Sequence, residues 1–154
     1  MDSSSTDRIE KRIRLAAPRS RVWRALSDSQ EFGEWFQVRF EQPFRAGATL
    51  VGRITFPGYE HLPMTIVIER VVPERLFSYR WHPNAHDLSH DYSAEPMTLV
   101  EFTLEDAGAG TELTVVESGF DALPLARRAA ALKANAAGWA AQVTRIRDHV
   151  LARP

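Results

Sequence analysis

The sequence predicts an α+β domain in which a curved antiparallel sheet of six to seven strands wraps around a long C-terminal helix, with two short helices after strand one. One observation is an apolar stripe near the C-terminus, whose intervals alternate between four and three and predict a helix over 124–151, about seven turns long. The other is that most of the preceding chain consists of short strand-like runs, which favours antiparallel pairing. The stripe contains Leu125, Ala129, Leu132, Ala136, Trp139, Val143, Ile146 and Val150.

The first strand is predicted over 9–15, because Ile9, Ile13 and Leu15 share parity and mostly charged residues lie between them. Pro18 ends this strand, since proline has no N–H for a ladder and suits the first turn of a helix. Two short helices follow, one around 22–26 and one around 32–36. They are separated by the polar stretch 27–29.

Six further strand-like runs fill the middle of the chain. Glycine- and proline-containing segments separate them, which is typical of turns and short loops. These runs cover 38–41, 49–56, 64–72, 76–81, 99–104 and 112–117.

Composition excludes several functional classes. The chain of 154 residues fits one domain with a substantial core, and its lack of cysteine excludes disulfides, thiolate metal sites, iron–sulfur clusters and a cysteine nucleophile. No apolar run approaches the roughly 18 residues of a membrane span, and a formal net charge of −1 removes the bulk electrostatic argument for nucleic acid. We expect a disordered leader over 1–7, a domain over 8–154, a cytoplasmic location and no cofactor.

Four stretches carry a family resemblance: RVWRALSDSQEFGEWF at 21–36, WHPNAHDLSHDYSAEPMTLVEF at 81–102, TELTVVESGF at 111–120 and GWAAQVTRIRDHV at 138–150. Together they resemble the START-like helix-grip superfamily (SRPBCC). Within it, they are similar to the family of the C-terminal domain of heat-shock-protein-90 ATPase activators. The stretch 81–102 is similar to a bacterial subgroup of that family. The resemblance implies the helix-grip fold. It leaves function open, because this scaffold carries transporters, cyclases, hydroxylase subunits and stress-response co-chaperones.

Aromatic residues indicate a binding cavity. Phe77, Tyr79 and Trp81 share parity on one predicted strand, so their rings point to one face of the sheet. If that face is concave, they line a cavity beneath the terminal helix, with Trp139 opposite. Ordinary core packing is the alternative, and the small Ala136 indicates either close helix approach or a void. The predicted ligand-binding set is Trp35, Phe36, Tyr59, Phe77, Tyr79, Trp81, Ala136, Trp139 and Val143.

Three histidines, His82, His86 and His90, recur every four residues. On a helix this spacing would stack the imidazoles into a zinc site. Pro83 favours a loop, however, so we expect the segment 83–96 to cross one rim of the pocket rather than bind a metal.

Glu101, Glu117 and Arg80 interrupt otherwise apolar strands. A carboxylate that faces a cavity could act as a general acid or base, but solvent-facing positions on a half-exposed sheet also explain these residues. We therefore assign no catalytic residue.

Three functions follow from these observations. The leading one is a non-catalytic protein that binds an apolar or aromatic small molecule between sheet and helix, as a monomer or homodimer. The second is a co-chaperone-like module with a chaperone partner, favoured by the resemblance and by a basic start. The third is a cyclase- or dehydratase-type enzyme that uses Glu101 or Tyr79. The basic start contains Arg8, Lys11, Arg12, Arg14, Arg19, Arg21 and Arg24.

Overall fold

A computed structural model describes residues 6–152, and it contains seven strands, three α-helices and one 3₁₀ turn in that range. The helices are α1 (Arg19–Ser27), α2 (Ser29–Phe36) and α3 (Leu125–Ala152), and the 3₁₀ turn covers Phe120–Ala122. The strands are β1 (Arg8–Leu15), β2 (Val38–Arg39), β3 (Thr49–Ile54), β4 (Pro63–Val72), β5 (Leu76–Trp81), β6 (Thr98–Ala107) and β7 (Gly110–Ser118).

All seven strands form one curved antiparallel sheet in the order β1-β7-β6-β5-β4-β3-β2. Consecutive strands from β2 to β7 are neighbours, and only β1 crosses to the far side, where Arg8 pairs with Ser118 and Leu15 with Thr111. The predicted fold class is therefore confirmed. β2 is shorter than expected, whereas β6 and β7 extend further into their connecting turn.

The two short helices are separated by a capping residue. The Asp28 carboxylate accepts hydrogen bonds from the backbone N–H groups of Gln30 and Glu31, so it starts α2 directly after α1 has ended. α2 then approaches β2 so closely that a Cβ at Gly33 would collide with the backbone carbonyl of Val38. Glycine is therefore required at this crossing.

The predicted stripe of α3 is correct only in its second half. Trp139, Ile146 and Val150 are buried, but Leu125 is 80% exposed and Ala129 is exposed as well. The first turn of α3 is attached to neighbouring loops by the side chains of Arg127 and Arg128, and Ala131 is the first buried residue of the helix. Periodicity shows which face a helix can bury, but it does not show how far the sheet extends beneath that face.

Aromatic rings fill the space between the sheet and the helices. Phe32 lies 4.7 Å from Trp35 and 5.3 Å from Phe44, measured between ring centroids, and Phe44 stacks on Phe77 at 5.3 Å. Phe32, Phe77 and Tyr79 have no exposed surface. The predicted cavity lies in this region, and the structure shows a packed core there instead.

The start of the described chain is bound to the turn before α3. The hydroxyl of Thr6 donates to the carboxylate of Asp121 at 2.6 Å, and the carboxylate of Asp7 accepts from the backbone N–H of Asp121 at 3.1 Å. Both residues were assigned to the predicted leader 1–7, of which residues 1–5 lie outside the described part. None of the helices in 6–152 is long and apolar enough to cross a membrane.

Candidate functional site

A cavity of about 350 Å³ opens at one rim of the sheet, and we call it the rim cavity. It lies between the hairpin of β3 and β4, the end of β5, the segment 82–92 and one residue of α3. The lining combines apolar side chains with histidine, asparagine and aspartate. The lining residues are Phe36, Ile54, Leu62, Pro63, Met64, Thr65, Trp81, His82, Asn84, Ala85, His86, Asp87, Leu88, His90, Tyr92 and Asn135.

Behind the lining residues Trp81 and Asn135 lies Glu117, a carboxylate with no exposed surface. The indole N–H of Trp139 donates to its Oε1 at 2.8 Å, and the indole N–H of Trp81 donates to its Oε2 at 2.8 Å. Thr98 donates its hydroxyl to Oε2 at 2.6 Å, and Asn135 donates from Nδ2 to both oxygens, at 2.9 and 3.1 Å. Buried charged groups require such partners. All five of these contacts come from uncharged donors.

Strand alternation explains why Glu117 lies inside. In β7 the inward positions are Thr111, Leu113, Val115 and Glu117, so Glu117 occupies the place of a core residue. The interpretation that Glu117 faces solvent is therefore wrong. Its parity with Leu113 and Val115 was visible in the sequence and would have placed it inside.

The other two polar strand residues lie on the outer face. Arg80 forms an ion pair with Glu69 at 3.3 Å, and Glu101 is half-buried opposite Ser78 in β5. Neither lines the rim cavity.

The phenol of Tyr79 is fully buried, and its hydroxyl has no hydrogen-bond partner in the described part of the chain. Burial raises the pKa of Tyr79 well above its ordinary value, and the nearby Glu117 carboxylate raises it further. The hydroxyl is therefore neutral at physiological pH.

The predicted site residues fall into three groups. Phe36 and Trp81 line the rim cavity. Trp139 lies behind Trp81 at a centroid distance of 5.9 Å, and Tyr59 is 47% exposed beside His86. The remaining predicted residues belong to the core or its edge and do not line the cavity: Trp35, Phe77, Tyr79, Ala136 and Val143.

Asn135 and most of the polar lining were not predicted. Asn135 stands beside Ala136 on α3, where the sequence pattern drew attention to the alanine. A polar side chain next to the apolar stripe of a long helix was the available signal.

The segment between β5 and β6 is attached to α3 by Arg127. Its guanidinium donates to the Glu95 carboxylate at 2.9 Å and to the carbonyl of Pro83 at 3.1 Å, so it holds both ends of the segment. It also lies 4.8 Å from the ring centroid of Tyr92. The segment contains no helix or strand, and several of its residues line the rim cavity.

Glu95 also receives contacts from two histidines. His90 Nε2 lies 2.6 Å from the carboxylate, and His82 Nε2 lies 3.1 Å from the backbone carbonyl. Burial acts to raise the pKa of Glu95, but hydrogen bonds from His90 and Arg127 lower it more strongly, so the net pKa is below its ordinary value. Within 6–152 no three His, Asp or Glu side chains are grouped to hold a metal ion.

The basic residues near the start of the chain are largely neutralised. Arg12 pairs with Glu10 at 3.0 Å, and Arg19 pairs with Asp106 at 2.8 Å. Arg21 pairs with Glu31 at 2.9 Å in a cluster that also includes Arg24 and His149. These pairs weaken the argument for an acidic partner at this surface.

The chain resembles known proteins in both its sequence and its fold. Over residues 16–150 the sequence matches the family described as Activator of Hsp90 ATPase homolog 1-like protein. The crystal structure of protein MLL2253 from Mesorhizobium loti is similar, with a TM-score of 0.74 at 20% identity over 96% of this chain and 98% of that chain. No protein of curated function matches the sequence.

Two further structures share the fold. The Aha1 dimer from Colwellia psychrerythraea has a TM-score of 0.70 at 16% identity, covering 93% of this chain and 95% of that chain. DynU16, described as a putative protein in the dynemicin biosynthetic locus, has a TM-score of 0.70 at 24% identity, covering 94% of this chain but 47% of its own. Since the family match covers α1, α2, strands β2 to β7 and α3 up to residue 150, this chain belongs to the Activator of Hsp90 ATPase homolog 1-like family, within the SRPBCC helix-grip superfamily.

Proposed function

We propose that this protein binds a small apolar or aromatic molecule in the rim cavity. The observation that carries the proposal is the wall formed by Phe36 and Trp81, whose rings lie 5.9 Å apart next to an open volume of about 350 Å³. Small-molecule sites typically have volumes of about 300–1,000 Å³ and combine an apolar lining with few polar groups. The rim cavity has such a volume, and its apolar wall faces histidine, asparagine and aspartate side chains that supply polar contacts.

The orientation of Trp81 supports this proposal. Its indole N–H is held by Glu117 at 2.8 Å, while its ring lines the cavity. A side chain that is fixed before a ligand arrives loses little conformational entropy on binding. The ring is therefore a preorganised surface for a flat, apolar ligand.

Titration calorimetry with 2-naphthol would test the proposal. Ala85 lines the cavity, so Ala85→Phe should fill it and abolish binding. Ala94 lies exposed in the same segment but outside the lining, so Ala94→Phe is the matched control and should bind as the wild type does. Equal binding by all three proteins would place the ligand elsewhere, and no binding by the wild type would contradict the proposal.

A co-chaperone role is the second candidate. The description of the family names an activator of Hsp90 ATPase, and one protein with a similar fold is an Aha1 dimer. In that case the protein should change the ATPase rate of an Hsp90-type chaperone without any small molecule. Ala85→Phe should leave that effect intact, which separates the two candidates. Catalysis by Glu101 or Tyr79 is not proposed, since neither residue lines the cavity.

A further inference from the structure

We propose that the ligand of the rim cavity carries a hydroxyl or amino hydrogen-bond donor on its aromatic body, and that Asn135 Oδ1 accepts this hydrogen bond. The inference rests on the proposed function and names the class of ligand. It follows from the way in which Glu117 fixes the amide group of Asn135.

The first step concerns which atom of Asn135 faces Glu117. An ionised carboxylate can only accept hydrogen bonds, and an indole N–H can only donate. Because Trp139 and Trp81 donate to Oε1 and Oε2 respectively, Glu117 acts as an acceptor at both oxygens. The Asn135 group within 2.9 and 3.1 Å of these oxygens must therefore be the NH₂ group. A carboxyl group carries at most one proton, so the NH₂ group satisfies both of these contacts, whereas a flipped amide oxygen could satisfy only one.

The second step concerns the atom that remains. Asn135 is half-buried and lines the rim cavity, and no side chain or backbone group within 6–152 donates to its Oδ1. An amide oxygen can accept two hydrogen bonds. Oδ1 is therefore a fixed acceptor on a side chain of the cavity wall.

The third step concerns selectivity. A ligand that offers only acceptors or apolar surface near Asn135 displaces water from Oδ1 and leaves it unpaired. A phenol or an aromatic amine restores the hydrogen bond while its ring packs on Trp81. Sites that are built to hydrogen-bond one group discriminate against analogues that lack it.

The test compares 2-naphthol, which has a donor, with 2-methoxynaphthalene, which has the same ring system and no donor. The measured ratio is the dissociation constant of 2-methoxynaphthalene divided by that of 2-naphthol. It is determined in the wild type and in Asn135→Ala. Comparing ratios cancels the difference in hydrophobicity between the two probes. We expect the preference for 2-naphthol to fall by roughly 3- to 10-fold in Asn135→Ala, the effect of one hydrogen bond.

Thr65→Val is the matched control, because Thr65 also lines the cavity and loses its hydroxyl without a large change in volume. It should keep the wild-type ratio. If Asn135→Ala fails to fold, Asn135→Ser retains a hydroxyl near Glu117 and should show the same loss of preference. A merely structural role of Asn135 would weaken both probes equally and leave the ratio unchanged.

The outcomes separate this inference from the proposed function. If both probes bind, Ala85→Phe abolishes their binding and the ratio does not depend on Asn135, the cavity is a binding site but the assigned ligand class is wrong. If neither probe binds to the wild type, the proposed function fails and the inference fails with it. A lower ratio in Asn135→Ala than in Thr65→Val supports both the proposed function and the assigned ligand class.

Discussion

Truncation of Trp139 should be among the most destabilising single changes in this protein. The side chain is 2% exposed, and its ring lies 5.6 Å from Phe102 and 6.3 Å from Phe36 between centroids. Trp139→Ala removes this packing and one of the donors to the buried carboxylate of Glu117. Replacement of a large buried aromatic side chain by alanine typically costs about 3–5 kcal/mol, out of roughly 5–15 kcal/mol for a whole domain.

A second variant separates packing from hydrogen bonding. Trp139→Phe keeps an aromatic ring in the core but removes the N–H that lies 2.8 Å from Glu117 Oε1. Loss of one hydrogen-bond partner by a buried polar group typically lowers the free energy of unfolding by about 1–3 kcal/mol. Because Asn135 still donates to Oε1 at 2.9 Å, we expect a loss in the lower part of that range. The free energy of unfolding should therefore decrease moderately in Trp139→Phe and severely in Trp139→Ala.

Equilibrium unfolding in guanidinium chloride, followed by circular dichroism, would measure both values. Val51 is a suitable control, because it is exposed on β3 and Val51→Ala should change stability by less than about 0.5 kcal/mol. A loss within that same small range for Trp139→Ala would refute the reasoning, since it would mean that this face of α3 is not buried in solution.

Three further predictions concern other parts of the fold. Gly33→Ala should lower the thermal unfolding midpoint by several degrees, because its Cβ would collide with the carbonyl of Val38, whereas alanine at the exposed Gly138 should not. Burial acts to raise the pKa of Glu31, but hydrogen bonds from His149, Arg21 and Arg24 lower it more strongly, so its net pKa lies below the ordinary 4.5. The stability that the ionised Glu31 contributes is therefore fully present above about pH 4.5 and is lost as the pH falls through the lowered pKa. In urea melts at a series of pH values, Glu31→Gln should lose less stability on acidification than the wild type. Arg127→Ala should accelerate amide hydrogen exchange in 83–95 without affecting β7, and unchanged exchange in that segment would show that Arg127 does not hold it.

The sheet was predictable because its signals are local. Alternating side chains and turn residues define each strand, and strands joined by short links pair with their neighbours. The second half of α3 was predictable for a similar reason, since Trp139, Val143, Ile146 and Val150 repeat at helical intervals and face the core. These features require no knowledge of what lies opposite each element.

The candidate site depended on contacts between distant elements. Glu117 and Asn135 lie 18 positions apart, on β7 and α3, and neither indicates by itself that its partner is the other. The predicted place of the cavity is filled, because the rings of Phe36, Trp81 and Phe102 pack against Trp139 of α3. How many rings fit there depends on the curvature of the sheet, which the residue pattern does not determine.

The position of β1 has a consequence for the order in which the protein folds. All eight residues of β1 pair with β7 and must wait for it, and the Asp7 contact with Asp121 joins positions 114 residues apart. During synthesis, β2 to β6 can form hairpins as they leave the ribosome, while β1 has no partner until almost the whole sheet has been made. Closing such a long loop costs entropy before any contact is gained, which slows folding. Charged side chains alternate with apolar ones along much of β1, and such charges disfavour pairing of an unpartnered strand with another chain.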